Sequence, residues 1–468
     1  MTTTFPGRRP QQARRRGVAE RRQQVLERRG ATAAPQGARP TRTNSKSAEA
    51  PARPERSPRS AHHAPPTRNV RQARPARPKL AVPAMPKLSL RPTPPSAATV
   101  VLDRNASPGF TYYLIVSVVT MLTMIGLVMV MSASSITSFH DGYSPWRFFI
   151  RQAMWAVMGA VAAFIAYRVR YQRWRAWTGP FMIVATGAMA LPFVPGLGRS
   201  VEGARAWVGY GPVGFQPSEI LKLALLMRCA DLLARQLEGD PTTRPAFKQV
   251  LQVLAVSSVA CLAQGDLGTV AVFGAIGFTV AYIAGVRLKP MAITLTVGLA
   301  GFLLIVLSSS RRTMRWTAFF DLEGNKEHYA YQVWQSILSI ANGGPTGVGV
   351  GAGTGKWGYV PLAHSDFIFA VVAEELGLIG AFAVLGGFIV LTVAGVQVAL
   401  ATRDRFGMLL AGGIAGWFGV QALINVGGVT GLLPVTGLTL PLISYGGSSL
   451  LVSLAAAGLL ANVARHVT

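Results

Sequence analysis

Residues 310–366 hold the densest collection of side chains that could take part in chemistry. The main candidates there are acids and histidines: Asp321, Glu323, Glu327, His328, His364 and Asp366. His364-Ser-Asp366 has the residue types of a nucleophilic triad, but neighbours in sequence do not establish the geometry that a triad needs. Glycine fills every second position from 347 to 355, without the Lys-Ser/Thr of a phosphate-binding loop. We expect this glycine run to be flexible or closely packed backbone.

Glu219 and Lys222 lie three residues apart at the start of an apolar run. That spacing puts them on one helical face, where they can pair. An ionisable side chain at the bilayer centre costs roughly 2.5–3.5 kcal/mol, so it indicates a functional site by default. Two interpretations stay open. The pair neutralises itself and ties the helix to its neighbours, or Lys222 meets an anionic headgroup in a polar cavity.

Three further groups of polar residues stand beside or within apolar runs. Asp266 separates two of these runs and could cap the N terminus of the second as a helix. Arg205 and Trp207 suit an amphipathic segment at the membrane interface, with the tryptophan at headgroup depth. Glu374 and Glu375 are adjacent acids in an apolar stretch. Both need partners, and we expect at least one to face the protein interior.

The composition indicates the kind of element that must position these residues. Of 468 residues, 50% are hydrophobic and 14% charged, whereas soluble domains carry about 25% charged residues. The net charge of +27 is concentrated at the N terminus, where residues 1–104 hold 23 of the 46 Lys and Arg and 16 of the 30 prolines. Such a segment cannot bury enough apolar surface to offset its conformational entropy. We predict a disordered, basic tail at 1–107 and a membrane domain at 108–468.

The charge of the tail allows several partners. It could set the orientation of the chain, bind anionic lipid headgroups or dock acidic proteins. Nucleic acid is not expected as a partner, because the tail has almost no aromatic side chains on which bases could stack.

Apolar runs long enough to cross a bilayer as helices, about 20 residues each, define the predicted spans. Ten are found, near 110–134, 149–168, 177–195, 217–236, 247–264, 267–286, 290–309, 367–400, 407–426 and 443–463. The eighth run is long enough to include a short preceding helix. The fold class is therefore an all-α polytopic membrane protein of about ten spans, although eight or twelve would keep the same parity.

Loop charges predict the orientation. Every second loop after the tail is rich in Lys and Arg, which places those loops and both termini in the cytoplasm. The large loops 195–216, 310–366 and 427–442 then lie outside. Loop 310–366 is an exception, because it carries Arg311, Arg312 and Arg315, but long loops escape the rule. Extracytoplasmic chemistry would have to take place in these large loops.

Several long motifs fall in a fixed order along the membrane domain. They are MVMSASS (129–135), GARAW (203–207), FQPSEILKLAL (215–225), GDLGT (265–269), YQVWQS (331–336), HSDFIFAVVAEELGLIG (364–380) and PVTGLTLPLISYGGSSLL (434–451). Together they resemble the SEDS family (shape, elongation, division and sporulation), which includes FtsW, RodA and SpoVE. The first and last motifs resemble the FtsW type most closely.

This resemblance implies a peptidoglycan glycosyltransferase of the bacterial plasma membrane. Its substrate would be lipid II, and its partners a class B penicillin-binding protein and other division or elongation proteins. The resemblance implies substrate binding by residues of the quoted motifs, namely Arg205, Trp207, Gln216, Glu219, Lys222, Asp266, Gln332, His364, Asp366 and Ser444. Arg205 and Lys222 are the candidates for the anionic headgroup. No cofactor or metal site is assigned, and a divalent cation is left open.

One loop departs from the family. Members resemble one another in F-x-N/D-P-x-x-D-P-x-G-x-G-Y-Q, whose second acid is regarded as catalytic. Aligned on Tyr331-Gln332, that position falls on Asn325, and an amide cannot serve as a general base. Either Asp321, Glu323 or Glu327 takes over the role, or the register is shifted, or the chain is a catalytically degenerate scaffold of division or sporulation. A lipid II transporter is a further alternative, although no inverted repeat is evident.

Overall fold

A computed structural model describes residues 109–467 except 141, 202–203, 211–212 and 244. The predicted tail, 1–107, lies outside the described residues. The described part folds into twelve α-helices: α1 Phe110–His140, α2 Arg147–Arg168, α3 Tyr171–Ala188, α4 Pro217–Leu237, α5 Ala246–Gln264, α6 Leu267–Ile283, α7 Leu288–Leu307, α8 Ser310–Phe320, α9 Tyr331–Gly343, α10 Ile368–Ala401, α11 Arg405–Val429 and α12 Gly447–Arg465.

Eight helices are long and apolar enough to cross a membrane, namely α1, α2, α3 (counted with its extension to Phe193), α5, α7, α10, α11 and α12. They match eight of the ten predicted spans. The other two predicted spans coincide with α6, which has only 17 residues, and with α4. Helix α4 carries charged side chains, yet 16 of its 21 residues are buried among other helices. The chain is thus a multi-pass membrane protein, as predicted.

A small β-sheet was not expected in the loop between α3 and α4. Strands β1 (Gly198–Val201), β2 (Ala204–Tyr210) and β3 (Val213–Phe215) pair antiparallel, with β2 in the middle. Side chains of β2 alternate, because Ala206 and Val208 are buried while Arg205 is exposed. That period of two is what a half-buried strand requires. The predicted amphipathic segment is therefore a strand.

Glycines bring α2 and α12 into close contact. A Cβ at Gly458 of α12 would meet the backbone of Ala163 on α2, and one at Gly159 would meet Leu454. Lipid tails are as apolar as leucine, so helices in a membrane gain stability chiefly where small residues allow close packing. Gly377 in α10 has a φ of 67° and marks a kink between two helical pieces. The eighth predicted span thus contains a short preceding helix.

Candidate functional site

An exposed turn carries the acids that were predicted to act in catalysis. It connects α8 and α9 across residues 321–330, and the side chains of Asp321, Glu323 and Glu327 are exposed there. The Oδ1 atom of Asp321 accepts a hydrogen bond from the amide of Gly324 at 2.9 Å. This bond fixes the direction of the Asp321 carboxylate. For Glu323 and Glu327, no carboxylate hydrogen bond is found within the described residues.

Asn325 holds the same turn in shape. Its Nδ2 donates to the carbonyl of Asp321 at 2.9 Å. The backbone carbonyl of Asn325 accepts hydrogen bonds from the backbone amides of His328 at 2.9 Å and Ala330 at 3.2 Å. The residue at the family's acid position therefore organises the backbone around the neighbouring acids.

A groove lies against this turn. The space between its walls, including the part that is open to solvent, is about 500 Å³. The lining residues include Arg315, Trp316, Phe319, Leu322, Tyr329, Gln332, Val333, Leu433, Pro434 and Val435. Asp321 and Glu323 flank Leu322 in the chain, although neither acid is among the lining residues. Of the predicted site residues, Gln332 lies in its wall.

A second, smaller cavity shares a wall with the groove. Val435 contributes to both, and Asp366 and Asn425 line the second cavity. The Nδ2 of Asn425 donates to the carbonyls of Asp366 at 2.9 Å and Leu438 at 2.6 Å. Within the described residues, no group of three His, Cys, Asp or Glu side chains could hold a metal ion.

His364 is packed between two aromatic rings. Its ring centroid lies 4.8 Å from that of Phe148 and 5.5 Å from that of Tyr445. Burial lowers the pKa of His364 to about 4, because the imidazole is held away from water, which disfavours its charged form. The ring is therefore neutral near pH 7. With an aromatic ring on each of two sides, the His364 side chain is packed in place and pH-sensitive, and it is not free to act as a general base.

Ser444 ties the segment before α12 to the segment before α10. Its Oγ donates to the carbonyl of Ser365 at 2.7 Å and accepts from the amide of Leu440 at 2.8 Å. Nearby, Leu362 and Leu442 adopt positive φ angles of 55° and 66°. A bulky residue in that region costs about 1–3 kcal/mol, and such strain clusters at functional sites.

The predicted pair at the start of α4 forms. The Nζ of Lys222 lies 2.7 Å from Oε2 of Glu219, and the Lys222 side chain is fully buried. The same Nζ donates to Oε1 of Gln421 at 3.3 Å and lies 5.5 Å from the ring centroid of Trp417. This geometry favours the interpretation of a neutralised pair that ties α4 to α11.

Asp266 caps α6, as one of its predicted roles requires. Its carboxylate accepts from the amide of Thr269 at 2.9 Å and from the Thr269 hydroxyl at 2.6 Å. The Nε2 of Gln216 donates to the same carboxylate at 3.1 Å, while the amide of Gln216 donates to the Ser448 hydroxyl at 3.2 Å. The structure thus brings Gln216 and Asp266 together, while Arg205 and Trp207 lie on β2.

The structure also reveals polar contacts that the sequence did not pair. Lys356 forms an ion pair with Glu375 at 2.8 Å, and Ser132 donates to that carboxylate at 2.7 Å. Glu374 accepts from the amide and hydroxyl of Thr354, both at 2.8 Å. Both glutamates are buried, which confirms that they need internal partners. Gly347, Gly353 and Gly355 of the glycine run pack closely against them, whereas Gly349 and Gly351 are exposed.

A second missed centre is Asp231 in α4. Its buried carboxylate accepts from Arg175 and Arg235 at 2.9 Å each and from Arg228 at 3.2 Å. An acid within a predicted span was the available signal. Its partner Arg175 also pairs with Glu238 at 2.8 Å, so the network joins α3 to α4.

Comparison with known proteins identifies relatives of this chain. The family model FTSW_RODA_SPOVE, described as "Cell cycle protein", matches residues 112–468. A relative from Geobacter metallireducens, named "Probable peptidoglycan glycosyltransferase FtsW", is 38% identical over 349 residues, which cover 74% of this chain and 92% of the relative.

Two solved structures share the fold. RodA of Thermus thermophilus is 29% identical, with a TM-score of 0.56 over 75% of this chain and 96% of RodA. A chain from a peptidoglycan synthase complex is 28% identical, with a TM-score of 0.60 over 75% of this chain and 97% of that chain. The family model matches most of the chain, the Geobacter metallireducens relative is 38% identical, and the chain has membrane helices. The chain therefore belongs to the FtsW, RodA and SpoVE family.

Proposed function

We propose that this protein is a peptidoglycan glycosyltransferase that polymerises lipid II at the outer face of the plasma membrane. The observation that carries the proposal is the turn 321–330 at the rim of the groove. Leu322 and Tyr329 of the turn line the groove, and exposed acids flank Leu322. Carboxylates beside a largely apolar groove suit a substrate that joins sugars to a polyprenyl chain.

The reaction needs few groups. A sugar hydroxyl of one molecule forms a bond to the anomeric carbon of another, and the bond from that carbon to pyrophosphate breaks. A carboxylate takes the hydroxyl proton, an effect worth about 10²–10⁴-fold, and undecaprenyl pyrophosphate leaves with the bonding electrons. We assign the base to Asp321 or Glu323, with Glu327 as the third acid of the turn. Gln332 in the groove wall and Asp366 in the adjoining cavity are proposed substrate contacts.

Strand synthesis by the purified full chain tests this proposal. The protein is combined with lipid II and a class B penicillin-binding protein, and glycan products are separated by gel. Asp321→Ala or Glu323→Ala should reduce the rate at least about 100-fold, while Lys326→Ala in the same turn serves as the matched control. A wild type without product in any pairing would contradict the activity. An active wild type that tolerates Asp321→Ala, Glu323→Ala and also Glu327→Ala would contradict only the assignment of the base.

One observation favours a second function. Asn325 stands at the family's acid position and is used to hold the turn, which suits a scaffold that has lost polymerase activity. Asn325→Asp separates the two functions. A gain of strand synthesis in that variant, over an inactive wild type, would support the scaffold.

Partners and orientation follow from the same proposal. One of the similar solved structures comes from a peptidoglycan synthase complex that is described as coordinating polymerization and crosslinking. We therefore propose a class B penicillin-binding protein as partner, both termini in the cytoplasm, and anionic lipids as the partner of the basic tail. Protease accessibility of the tail in sealed vesicles of known orientation tests the topology.

A further inference from the structure

Helix α8 carries a charge pattern that the proposed chemistry has not used. Arg311, Arg312 and Arg315 lie within five positions of one another in a large loop predicted to be outside. Two apolar side chains of the same helix, Met314 and Phe320, are exposed. Cations beside apolar side chains suit a ligand that is anionic at one end and apolar at the other.

Arg315 is the cation that faces the groove. Its side chain lines the groove and is exposed. No carboxylate within the described residues forms an ion pair with it. Arg312, in contrast, is half-buried and donates to the carbonyl of Ile305 at 3.4 Å. Arg315 therefore has its hydrogen-bond donors available for a ligand.

The two cations named from the sequence are less suitable. Lys222 is fully buried, and Glu219 at 2.7 Å neutralises it. Arg205 is exposed on β2 but is absent from the lining of the groove. Neither cation combines access with a position in the groove wall.

We infer that Arg315 binds the pyrophosphate of the polyprenyl-linked substrate and that the groove takes the first part of the prenyl chain. This inference rests on the proposed function and deepens it. A guanidinium matches phosphate oxygens with two parallel hydrogen bonds, which an ammonium cannot do. Phe319, Val333 and Leu433 supply the apolar wall. A cation at that position also stabilises the charge that develops on the leaving pyrophosphate.

Binding of undecaprenyl diphosphate to the full chain tests the inference without any polymerisation. The protein is placed in phosphatidylcholine nanodiscs, and the dissociation constant is measured by microscale thermophoresis. Undecaprenol, inorganic pyrophosphate and phosphatidylglycerol are separate competitors. Arg315→Ala should weaken binding about 10- to 100-fold, the effect of one lost charged hydrogen-bonding group. Arg315→Lys should fall between that variant and the wild type, because it keeps the charge alone.

A matched control removes an arginine elsewhere. Arg287→Ala loses an exposed cation at the other end of α7 and should stay within about twofold of the wild type, since Arg287 does not line the groove. Because Arg315 is exposed, Arg315→Gln provides a second variant expected to fold and to lose the same binding.

The outcomes separate the inference from the proposed function. Wild-type affinity in Arg315→Ala and Arg315→Gln would overturn the inference. It would also be overturned if phosphatidylglycerol competed as well as undecaprenyl diphosphate, because the site would then bind anionic lipids in general. Strand synthesis by the wild type with an unchanged KM in Arg315→Ala would overturn the inference alone. A wild type that binds the diphosphate through Arg315 yet makes no strands would uphold the inference and contradict the proposed activity.

Discussion

The ammonium of Lys356 lies 2.8 Å from Oε1 of Glu375, and both side chains are almost completely shielded from solvent. Ser132 of α1 contacts both groups, because its Oγ donates to Glu375 at 2.7 Å and accepts from Lys356 at 3.0 Å. The backbone amide of Gly351 also donates a hydrogen bond to the Glu375 carboxylate, at 3.0 Å. The pair thus fastens the glycine-rich segment to α1 and α10, beside the segment that carries His364 and Asp366.

Removing one partner of this pair should destabilise the protein. Lys356→Met leaves a buried carboxylate without its countercharge, which typically costs about 3–5 kcal/mol. The midpoint of thermal unfolding in detergent should fall accordingly. The double variant Lys356→Met/Glu375→Gln should recover most of that loss, because the amide still bonds Ser132 and Gly351. A single variant no less stable than the double one would show that the ion pair is not what holds the segment.

The same design separates the two interpretations of Lys222. Lys222→Met should also cost about 3–5 kcal/mol, because the Glu219 carboxylate would be left buried and unpaired. Glu219→Gln/Lys222→Met should restore the unfolding midpoint. If the pair only joins α4 to α11, the restored variant should also synthesise strands at close to the wild-type rate. A stable double variant without activity would instead indicate that Lys222 contacts substrate.

Stability should fall at acidic pH through His364. The folded state lowers its pKa to about 4, whereas the unfolded chain has the usual value of about 6.5. Between these values the unfolded state binds more protons, so the free energy of unfolding decreases as the pH falls from about 6.5 to about 4, by up to about 3 kcal/mol. Above pH 6.5 this contribution is complete and constant. His364→Gln should give a flatter curve of unfolding midpoint against pH, and parallel curves for the two proteins would refute the assignment.

Close packing of α2 and α12 should depend on Gly458. A Cβ at this position would meet the backbone of Ala163, including its Cα at 2.7 Å, so the helices would have to separate. Gly458→Ala should lower stability by about 1–3 kcal/mol, as overpacking usually does. Gly298→Ala on α7 is the matched control, because nothing lies within 4 Å of its added methyl group. That control should be neutral or slightly stabilising, since alanine favours the helix. Equal effects at both positions would contradict the packing argument.

Features that depend on neighbouring residues were determined by the sequence alone. Apolar runs predicted the membrane helices, because a span needs only length and hydrophobicity. The Glu219–Lys222 pair and the Asp266 cap involve positions three residues apart, and local helix geometry decides such contacts. The motifs were enough to name the family. They also led to the prediction that Asn325 stands where an acid is usual, and only the structure placed that amide against the backbone of the turn.

Contacts between distant segments were decided by the tertiary structure. Ser132 and Lys356 are 224 positions apart, and no spacing rule connects them. Helix α4 was predicted as a span despite its charged side chains, and only the packing shows that it is buried and where Asp231 finds its partners. Arg315 was only an exception to a charge rule until the groove placed it beside Trp316 and Gln332. The physical reason is the same in each case: local sequence sets which helices form, whereas burial and pairing depend on which helix faces meet.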